Sequence, residues 1–206
     1  MSKMFMVDIE TTGVDPRKDE VLQIAILELT KVDGYWKPGR LYERLLGTDK
    51  TPSYKFAIEQ MADLYAACNK LPKANPTEVR NEIKAFLVEC GAPNMAVATG
   101  KNAAGFDLPF LFNNGYALSN YRDPITDKPV GDFHYRTYEM AGAIFFVQDF
   151  LRISGRDVLE TMAIAVYTDI EVPQGRKFHD AVGDCYYQTR MLNGLIKLCE
   201  VTRREE

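Results

Sequence analysis

The stretch FMVDIETTGVD, from Phe5 to Asp15, combines a short apolar run, two acidic residues and a turn sequence. The apolar run from Phe5 to Ile9 predicts a buried β-strand. Alternate side chains of a strand share a face, so Asp8 and Glu10 project to the same side at its end. Two carboxylates that leave one strand end together can hold a metal ion. The alternative is a strand that runs out into solvent.

The turn after this strand is built from small residues. Thr11, Thr12 and Gly13 let the backbone bend sharply and approach a ligand closely, which suits a metal and phosphate site. A second Asp-x-Glu pair, Asp169 and Glu171, precedes a proline and a glycine in a polar stretch. That context predicts a solvated turn without chemistry.

The composition fits one domain. A chain of 206 residues with 46% apolar content can bury a core, so we expect a single domain over residues 1–206 with a polar C-terminal tail from about residue 200. No apolar run has the length of a membrane span, and the N-terminus lacks the pattern of a signal peptide. The four cysteines show no zinc-ligand spacing. We therefore expect a soluble, cytoplasmic protein with reduced thiols.

The net charge of −4 argues against a protein that coats long duplex nucleic acid, which normally requires a basic surface. It is compatible with a nuclease, because an active site with several carboxylates adds acidic residues of its own. A strand end can be held by a few local cations, although a solvated face is the commoner interpretation of each. The candidate cations are Arg152, Arg156, Arg176 and Lys177.

An antiparallel meander is predicted to open the fold. Val21 to Thr30 alternates at its end and indicates a second strand. Asp33 and Gly34 supply a hairpin turn, and Arg40 to Leu46 would return as the third strand.

The following segments predict helices and a crossover. Helical spacing runs from Thr51 to Leu71 and again from Pro76 to Gly91. Met95 to Thr99 reads as a strand, and a strand after a helix indicates a parallel crossover. Ser119 to Asp132 is predicted to be a loop and Tyr138 to Leu151 a helix. The class is therefore α/β with a mixed sheet.

Two further acidic positions have open interpretations. Asp107 lies in an otherwise apolar stretch, so it is either a helix cap or a residue with a chemical role. Ligands of α/β sheets collect at the carboxyl ends of strands, where both Asp107 and Asp8 are expected. Asp157 and Glu160 precede an apolar run and are interpreted as a capping arrangement.

The C-terminal segment predicts an amphipathic helix that begins near Asp180. His179 lies just before it, and Asp184 lies about one turn inside, where the positive end of the helix favours a negative charge. The other histidine, His134, lies among aromatic residues and is expected to be buried in a packing role.

Three motifs occur together in this chain: DIETTG from Asp8, NAAGFD from Asn102 and HDAVGD from His179. In kind and order they resemble the motifs of the DEDDh 3′–5′ exonucleases, a family that includes proofreading exonucleases, ribonuclease T and oligoribonuclease. The resemblance extends from about Phe5 to Leu195. It implies a ribonuclease H-like mixed sheet flanked by helices, with the first three strands antiparallel.

The resemblance also implies two Mg²⁺ ions, for which Mn²⁺ can substitute. Their ligands would be Asp8, Glu10, Asp107 and Asp184, and His179, five residues before Asp184, would be the general base. Such a site would remove nucleoside 5′-monophosphates from single-stranded DNA or RNA ends.

The resemblance also implies, less directly, which residues contact the substrate. By resemblance, the residues that meet the terminal nucleotide would be Thr11, Thr12, Gly13 and Phe106. Val14 departs from the larger leucine that the family often has, and Arg136 to Glu139 offers no clear copy of an acidic residue found in some relatives.

Two other functions are open from the sequence. An exonuclease-like module could bind a strand end for a partner protein without cutting, although none of the acidic positions or His179 is lost here. A metal phosphoesterase could act on small esters. A homodimer or a polymerase partner is left open, and no membrane partner is expected.

Overall fold

The structure is a computed structural model and describes residues 3–51, 59–119 and 121–202. Its helices and strands are, in chain order, β1 (Lys3–Thr11), β2 (Val21–Val32), β3 (Tyr35–Leu45), α1 (Ala62–Cys68), α2 (Pro76–Glu89), β4 (Ala98–Gly100), α3 (Asp107–Asn113), β5 (Tyr121–Arg122), β6 (Pro129–Val130), β7 (Tyr138–Glu139), α4 (Met140–Leu151), α5 (Arg156–Val166) and α6 (Ala181–Thr202).

The first three strands form the predicted antiparallel meander, with β2 between β1 and β3. The third strand is longer than predicted, because it begins at Tyr35 rather than Arg40. Pro38 pairs opposite Leu29 within it. This is tolerated because β3 is the edge strand of the sheet, where a missing N–H disrupts no further ladder.

The predicted crossover is confirmed. Strand β4 pairs in parallel with β1, and β7 pairs in parallel with β4, which gives the five-stranded mixed sheet the order β3-β2-β1-β4-β7. The strand predicted over Met95 to Thr99 is shifted to Ala98–Gly100. Met95 has a left-handed φ of 57°, and Ala96 forms an isolated bridge with Phe133.

The loop predicted over Ser119 to Asp132 contains a small second sheet, in which β5 pairs antiparallel with β6. The prediction of a plain loop was therefore wrong. The turn between the two strands is stabilised by Asp123, whose Oδ1 accepts from the backbone N–H groups of Ile125 and Thr126 at 2.9 and 2.8 Å. Such a side-chain turn leaves little hydrophobic signal in the sequence.

The helices agree with the predicted segments except at their ends. The helix expected from Thr51 is described only in part, because residues 52–58 lie outside the described ranges, and α1 begins at Ala62. Helix α4 starts at Met140, after strand β7. Helix α6 continues to Thr202, so the tail predicted from about residue 200 begins inside a helix. Within the described ranges, no helix combines the length and apolarity that a membrane crossing requires.

Two hydrophobic cores cover the two faces of the sheet. Phe5, Val7 and Ile9 of β1 pack on one side with the apolar residues of α2 and α3. Met4 and Met6 face the other side, against α4, α5 and α6. Because side chains alternate along a strand, Asp8 and Glu10 continue the row of Met4 and Met6 and face α6.

The close approach of α5 and α6 depends on Gly194. A Cβ at this position would overlap the backbone carbonyl of Ala163 on α5. Gly142, in the first turn of α4, differs from Gly194 in that it has space for a side chain. A Cβ there would meet nothing within 4 Å.

We predict opposite effects for alanine at these two glycines. Gly194→Ala should destabilise the protein by about 1–3 kcal/mol, because the helices must separate. Gly142→Ala should stabilise it by up to about 1 kcal/mol through helix propensity. Urea unfolding of both variants measures this. Equal stability of the Gly194 variant and the wild-type protein would contradict the packing described.

Candidate active site

Strand β1 ends in a β-bulge directly at the acidic pair. Glu10 pairs with Gln23 of β2, whereas the next residue, Thr11, pairs with Val21, so the register shifts at this point. Bulges redirect side chains and often lie beside functional sites. Glu10 is buried, with 9% of its surface exposed.

The turn of Thr11, Thr12 and Gly13 is held by its own contacts. The Thr11 hydroxyl donates to the Gly13 carbonyl at 2.6 Å, and the Thr12 hydroxyl accepts from the Glu20 N–H at 2.9 Å. A Cβ on Gly13 would overlap the Asp19 carboxylate. Both hydroxyls and the glycine therefore shape the turn, and their contact with a terminal nucleotide stays a prediction.

Asp107 is the first residue of α3 and reaches across to β1. Its Oδ1 accepts from the Ile9 N–H at 3.0 Å, and the residue is buried with 6% exposure. The helix has Phe106 as its N-cap residue, with no side-chain capping bond. Asp107 lies in the first turn of α3, where the positive helix end favours its charge, and its chemical role stays a prediction. Phe106, which was predicted to lie near the terminal nucleobase, is half-buried. The centroid of its ring lies 4.9 Å from that of the Phe110 ring.

The start of α6 is fixed from two sides. The Asp180 Oδ1 accepts from the Gly183 N–H at 3.0 Å and caps the helix. Gln23 of β2 accepts from the Ala181 N–H at 3.0 Å through its Oε1. Because Gln23 pairs with Glu10, the first turn of α6, which carries Asp184, is tied to the strand end that carries the acidic pair.

His179 precedes this helix in a left-handed backbone conformation with φ 63°. Its backbone N–H donates to the Asp184 Oδ2 at 3.2 Å. A left-handed conformation is uncommon for a residue other than glycine and is found at functional sites. The ring is half-buried, and this burial lowers the pKa of His179 below its ordinary value, which favours neutral imidazole at neutral pH.

The side chains of Asp8, Glu10, Asp107 and Asp184 are here called the acidic corner, and the pKa of each is raised. Burial is the largest cause in each case. Burial and repulsion by Asp184 and Asp107 raise the pKa of Glu10 to about 8. Burial and Asp180 raise that of Asp184 to about 6. Burial and repulsion by Asp107, Asp184 and Glu10 raise the pKa of Asp8 well above its ordinary value. Burial and repulsion by Glu139 and Asp184 do the same for Asp107.

Two carboxylates of the acidic corner, together with His179, form a donor set that fits a hard divalent cation. Among the described residues, Glu10, His179 and Asp184 each offer one ligand atom, and these atoms lie within 4.8 Å of one another. Carboxylate oxygens are the ligands that Mg²⁺ and Mn²⁺ prefer. A cation would also offset the burial and the repulsion that raise the four pKa values.

Three residues that affect the acidic corner were missed from the sequence. Gln188 donates to the Asp8 Oδ1 at 2.7 Å. Its spacing of four residues from Asp184, which places both on one helix face, was the available signal. Lys101 follows β4, and its ammonium lowers the pKa of Asp184 against the larger effect of burial. Glu139 accepts from the Ala104 N–H at 2.9 Å, and its charge contributes to the raised pKa of Asp107.

The capping role predicted for Asp157 and Glu160 was wrong. Helix α5 has Gly155 as its N-cap residue, with φ 100° and no side-chain capping bond. Glu160 binds the Lys101 ammonium at 2.7 Å and the Arg156 guanidinium at 2.8 Å instead. Because Lys101 is remote in sequence, a local pattern could not reveal this contact.

His134 has the predicted packing role but is half-buried rather than buried. Its ring stacks on Tyr135 at 4.5 Å, and its Nδ1 accepts from the Arg136 N–H. Asp169 and Glu171 lie in an exposed loop, as predicted.

Three of the four candidate cations are engaged with acidic partners. Arg176 binds Glu43 at 2.6 Å and Asp180 at 3.0 Å. Arg156 binds Glu160, as described above, and the exposed Lys177 lies 3.7 Å from Asp63. Arg152 ends α4 in a left-handed conformation. Their contact with a nucleic acid strand stays a prediction.

Solved structures similar to this chain include several nucleases. Exonuclease I of E. coli, in complex with a dT13 oligonucleotide, matches with a TM-score of 0.61 and 18% identity over 100% of this chain and 43% of that protein. Cell-death related nuclease 4 matches with a TM-score of 0.61 and 14% identity, over 95% of this chain and 64% of that one. A full-length 3′-exonuclease matches with a TM-score of 0.57 and 12% identity, over 97% and 61%.

These likenesses establish the fold, and the mixed sheet flanked by helices that the resemblance implied is confirmed. The chain spans less than two thirds of each of these three proteins. No protein-family model matches the sequence, and no curated protein matches it significantly.

We predict that the acidic corner makes metal-free stability fall as pH rises. The pKa of Glu10 is raised from 4.5 to about 8 in the folded protein, so folding favours the protonated form, and this stabilisation is lost between those values. In EDTA, the unfolding temperature should decrease from pH 5 to pH 8 by several degrees. Mg²⁺ should restore it more at pH 8 than at pH 5.

Glu10→Gln and Glu171→Gln form a matched pair for this test. The first removes a buried carboxylate and should flatten the pH dependence, and the second removes an exposed one and should not. Thermal unfolding followed by circular dichroism measures both. A wild-type profile that is flat from pH 5 to pH 8 would exclude the proposed electrostatics.

Proposed function

We propose that this protein is a metal-dependent 3′–5′ exonuclease that removes nucleoside 5′-monophosphates from single-stranded nucleic acid ends. The observation that carries the proposal is the acidic corner beside His179, on a fold shared with exonucleases. Its four carboxylates come from the three motifs that carry the sequence resemblance. The exonuclease I structure with dT13 supports a single-stranded substrate.

The residues of the acidic corner have distinct parts in this proposal. Asp8, Glu10, Asp107 and Asp184 would hold two Mg²⁺ ions, with Mn²⁺ as a substitute. When bound, these ions would neutralise the carboxylates and stabilise the charge that develops on the scissile phosphate. Glu10 and Asp184 would then stay ionised at neutral pH in spite of their raised pKa values.

His179 would be the general base. Its lowered pKa keeps the imidazole neutral, and so able to accept a proton, at neutral pH. His179 directly precedes α6, and its backbone N–H donates to Asp184. It would take a proton from the attacking water and release it to solvent through its exposed edge. The half-buried state of the ring permits that exchange.

The direction of cleavage can be tested with end-labelled oligonucleotides. With Mg²⁺, a 5′-labelled single strand should shorten progressively from its 3′ end, with nucleoside 5′-monophosphates as products. The double variant Asp8→Asn/Glu10→Gln should lose at least about a thousandfold in rate, because the ligand set is broken. Asp169→Asn/Glu171→Gln makes the same two substitutions in the second Asp-x-Glu pair, which lies in an exposed loop, and should retain wild-type activity.

Other outcomes of this assay would select another function. Binding of the oligonucleotide without any product would indicate a non-catalytic module. Hydrolysis of small phosphate esters alone would indicate a phosphoesterase. Matched DNA and RNA substrates would measure the preference between them, which depends on contacts to the 2′-hydroxyl. A homodimer or a polymerase partner stays a prediction.

We predict that His179→Ala reduces turnover by about a hundredfold to ten-thousandfold, as expected for loss of a general base. Metal affinity should fall little, because the carboxylates remain, and the affinity for an oligonucleotide should stay near that of the wild-type protein. Wild-type activity should decrease as the pH falls through the pKa of His179, which burial holds below its ordinary value, because a protonated imidazole cannot act as a base.

His134→Ala is the control, because it removes the other histidine, which packs on Tyr135. Single-turnover kinetics and oligonucleotide binding should be measured for both variants. Full turnover by the His179 variant would refute the assigned base.

A further inference from the structure

Gln188 bridges two parts of the chain at the acidic corner. It lies on α6, one turn beyond Asp184, and is half-buried. Its Nε2 donates to the Asp8 Oδ1 at 2.7 Å, and its Oε1 accepts from the Lys101 backbone N–H at 2.8 Å. The amide therefore connects the end of β1 with the residue that follows β4.

The orientation of this amide is determined by its surroundings. A backbone N–H can only donate, so the group that faces Lys101 must be the Gln188 carbonyl oxygen. The NH₂ group then faces the Asp8 Oδ1, which accepts from it. A flipped amide would place its NH₂ group against the Lys101 N–H, with two donors together, so one orientation satisfies both contacts.

The contact opposes the electrostatic effect of the other neighbours. Asp107, Asp184 and Glu10 all repel a negative charge on Asp8. A donor at 2.7 Å instead favours the ionised carboxylate and fixes its rotation. The bond from Gln188 is made to Oδ1 of Asp8, and the second carboxylate oxygen, Oδ2, takes no part in it.

We propose that Gln188 is a positioning residue that holds the Asp8 carboxyl group in one orientation for a divalent cation. The proposal rests on the function proposed above. Partners that orient metal ligands in this way commonly change metal affinity by tenfold or more when they are removed. The motifs quoted from the sequence do not include Gln188.

The test uses Gln188→Met, which has a similar length but makes neither hydrogen bond. Calorimetric titration with Mn²⁺ alone, without nucleic acid, should show affinity about tenfold weaker than in the wild-type protein. The Mg²⁺ concentration for half-maximal cleavage should rise by a similar factor. At saturating Mg²⁺, the KM for the oligonucleotide should be unchanged, because Gln188 is assigned to the metal ligands.

Gln174→Met is the matched control, since this glutamine is exposed in the loop before α6. It should retain wild-type Mn²⁺ affinity. Thermal unfolding in EDTA reports whether each variant is folded. If Gln188→Met does not fold, Gln188→Leu removes the same two hydrogen bonds with a smaller side chain and takes its place.

The outcomes separate this proposal from the proposed function. Wild-type Mn²⁺ affinity in the folded Gln188 variant would overturn it, as would a raised KM with unchanged metal dependence. If the wild-type protein binds Mn²⁺ but cleaves no oligonucleotide, the exonuclease proposal fails, while the calorimetric comparison still decides the role of Gln188. A wild-type protein that binds no Mn²⁺ would overturn the inference as well.

Discussion

The repulsion between four carboxylates in one partly buried corner is the constraint on which the rest of this structure depends. Burial and repulsion by Asp184 and Asp107 raise the pKa of Glu10 to about 8, and burial and repulsion by Asp180 raise that of Asp184 to about 6. Folding must therefore bring these groups together against their charge. The two hydrophobic cores, one on each face of the sheet, supply the free energy that makes this geometry stable. A divalent cation would remove most of the remaining repulsion.

Backbone and amide donors hold the corner in place. The Ile9 N–H donates to Asp107, and the His179 N–H donates to Asp184. Gln23 joins the first turn of α6 to the bulged end of β1 and β2. Asp107 and Asp184 are thus each held by a backbone donor from a segment next to the site.

Much of the fold could be predicted from local patterns. The antiparallel meander, the crossover to β4 and the helix over Pro76–Glu89 all follow from side-chain periodicity and turn residues. The errors occurred where periodicity carries no information. The β5–β6 hairpin is held by an Asp123 turn, and Glu160 pairs with Lys101, which is 59 residues away in the chain.

The sequence by itself determined which side chains are candidates for the chemistry, because Asp8, Glu10, Asp107, Asp184 and His179 lie in motifs of fixed local spacing. Only the tertiary structure decided which polar residues support them. Gln188 and Asp8 are 180 residues apart, and their hydrogen bond exists because α6 packs across the end of β1. Local spacing reports periodicity within a segment, whereas contacts between distant segments arise from how the sheet and helices pack.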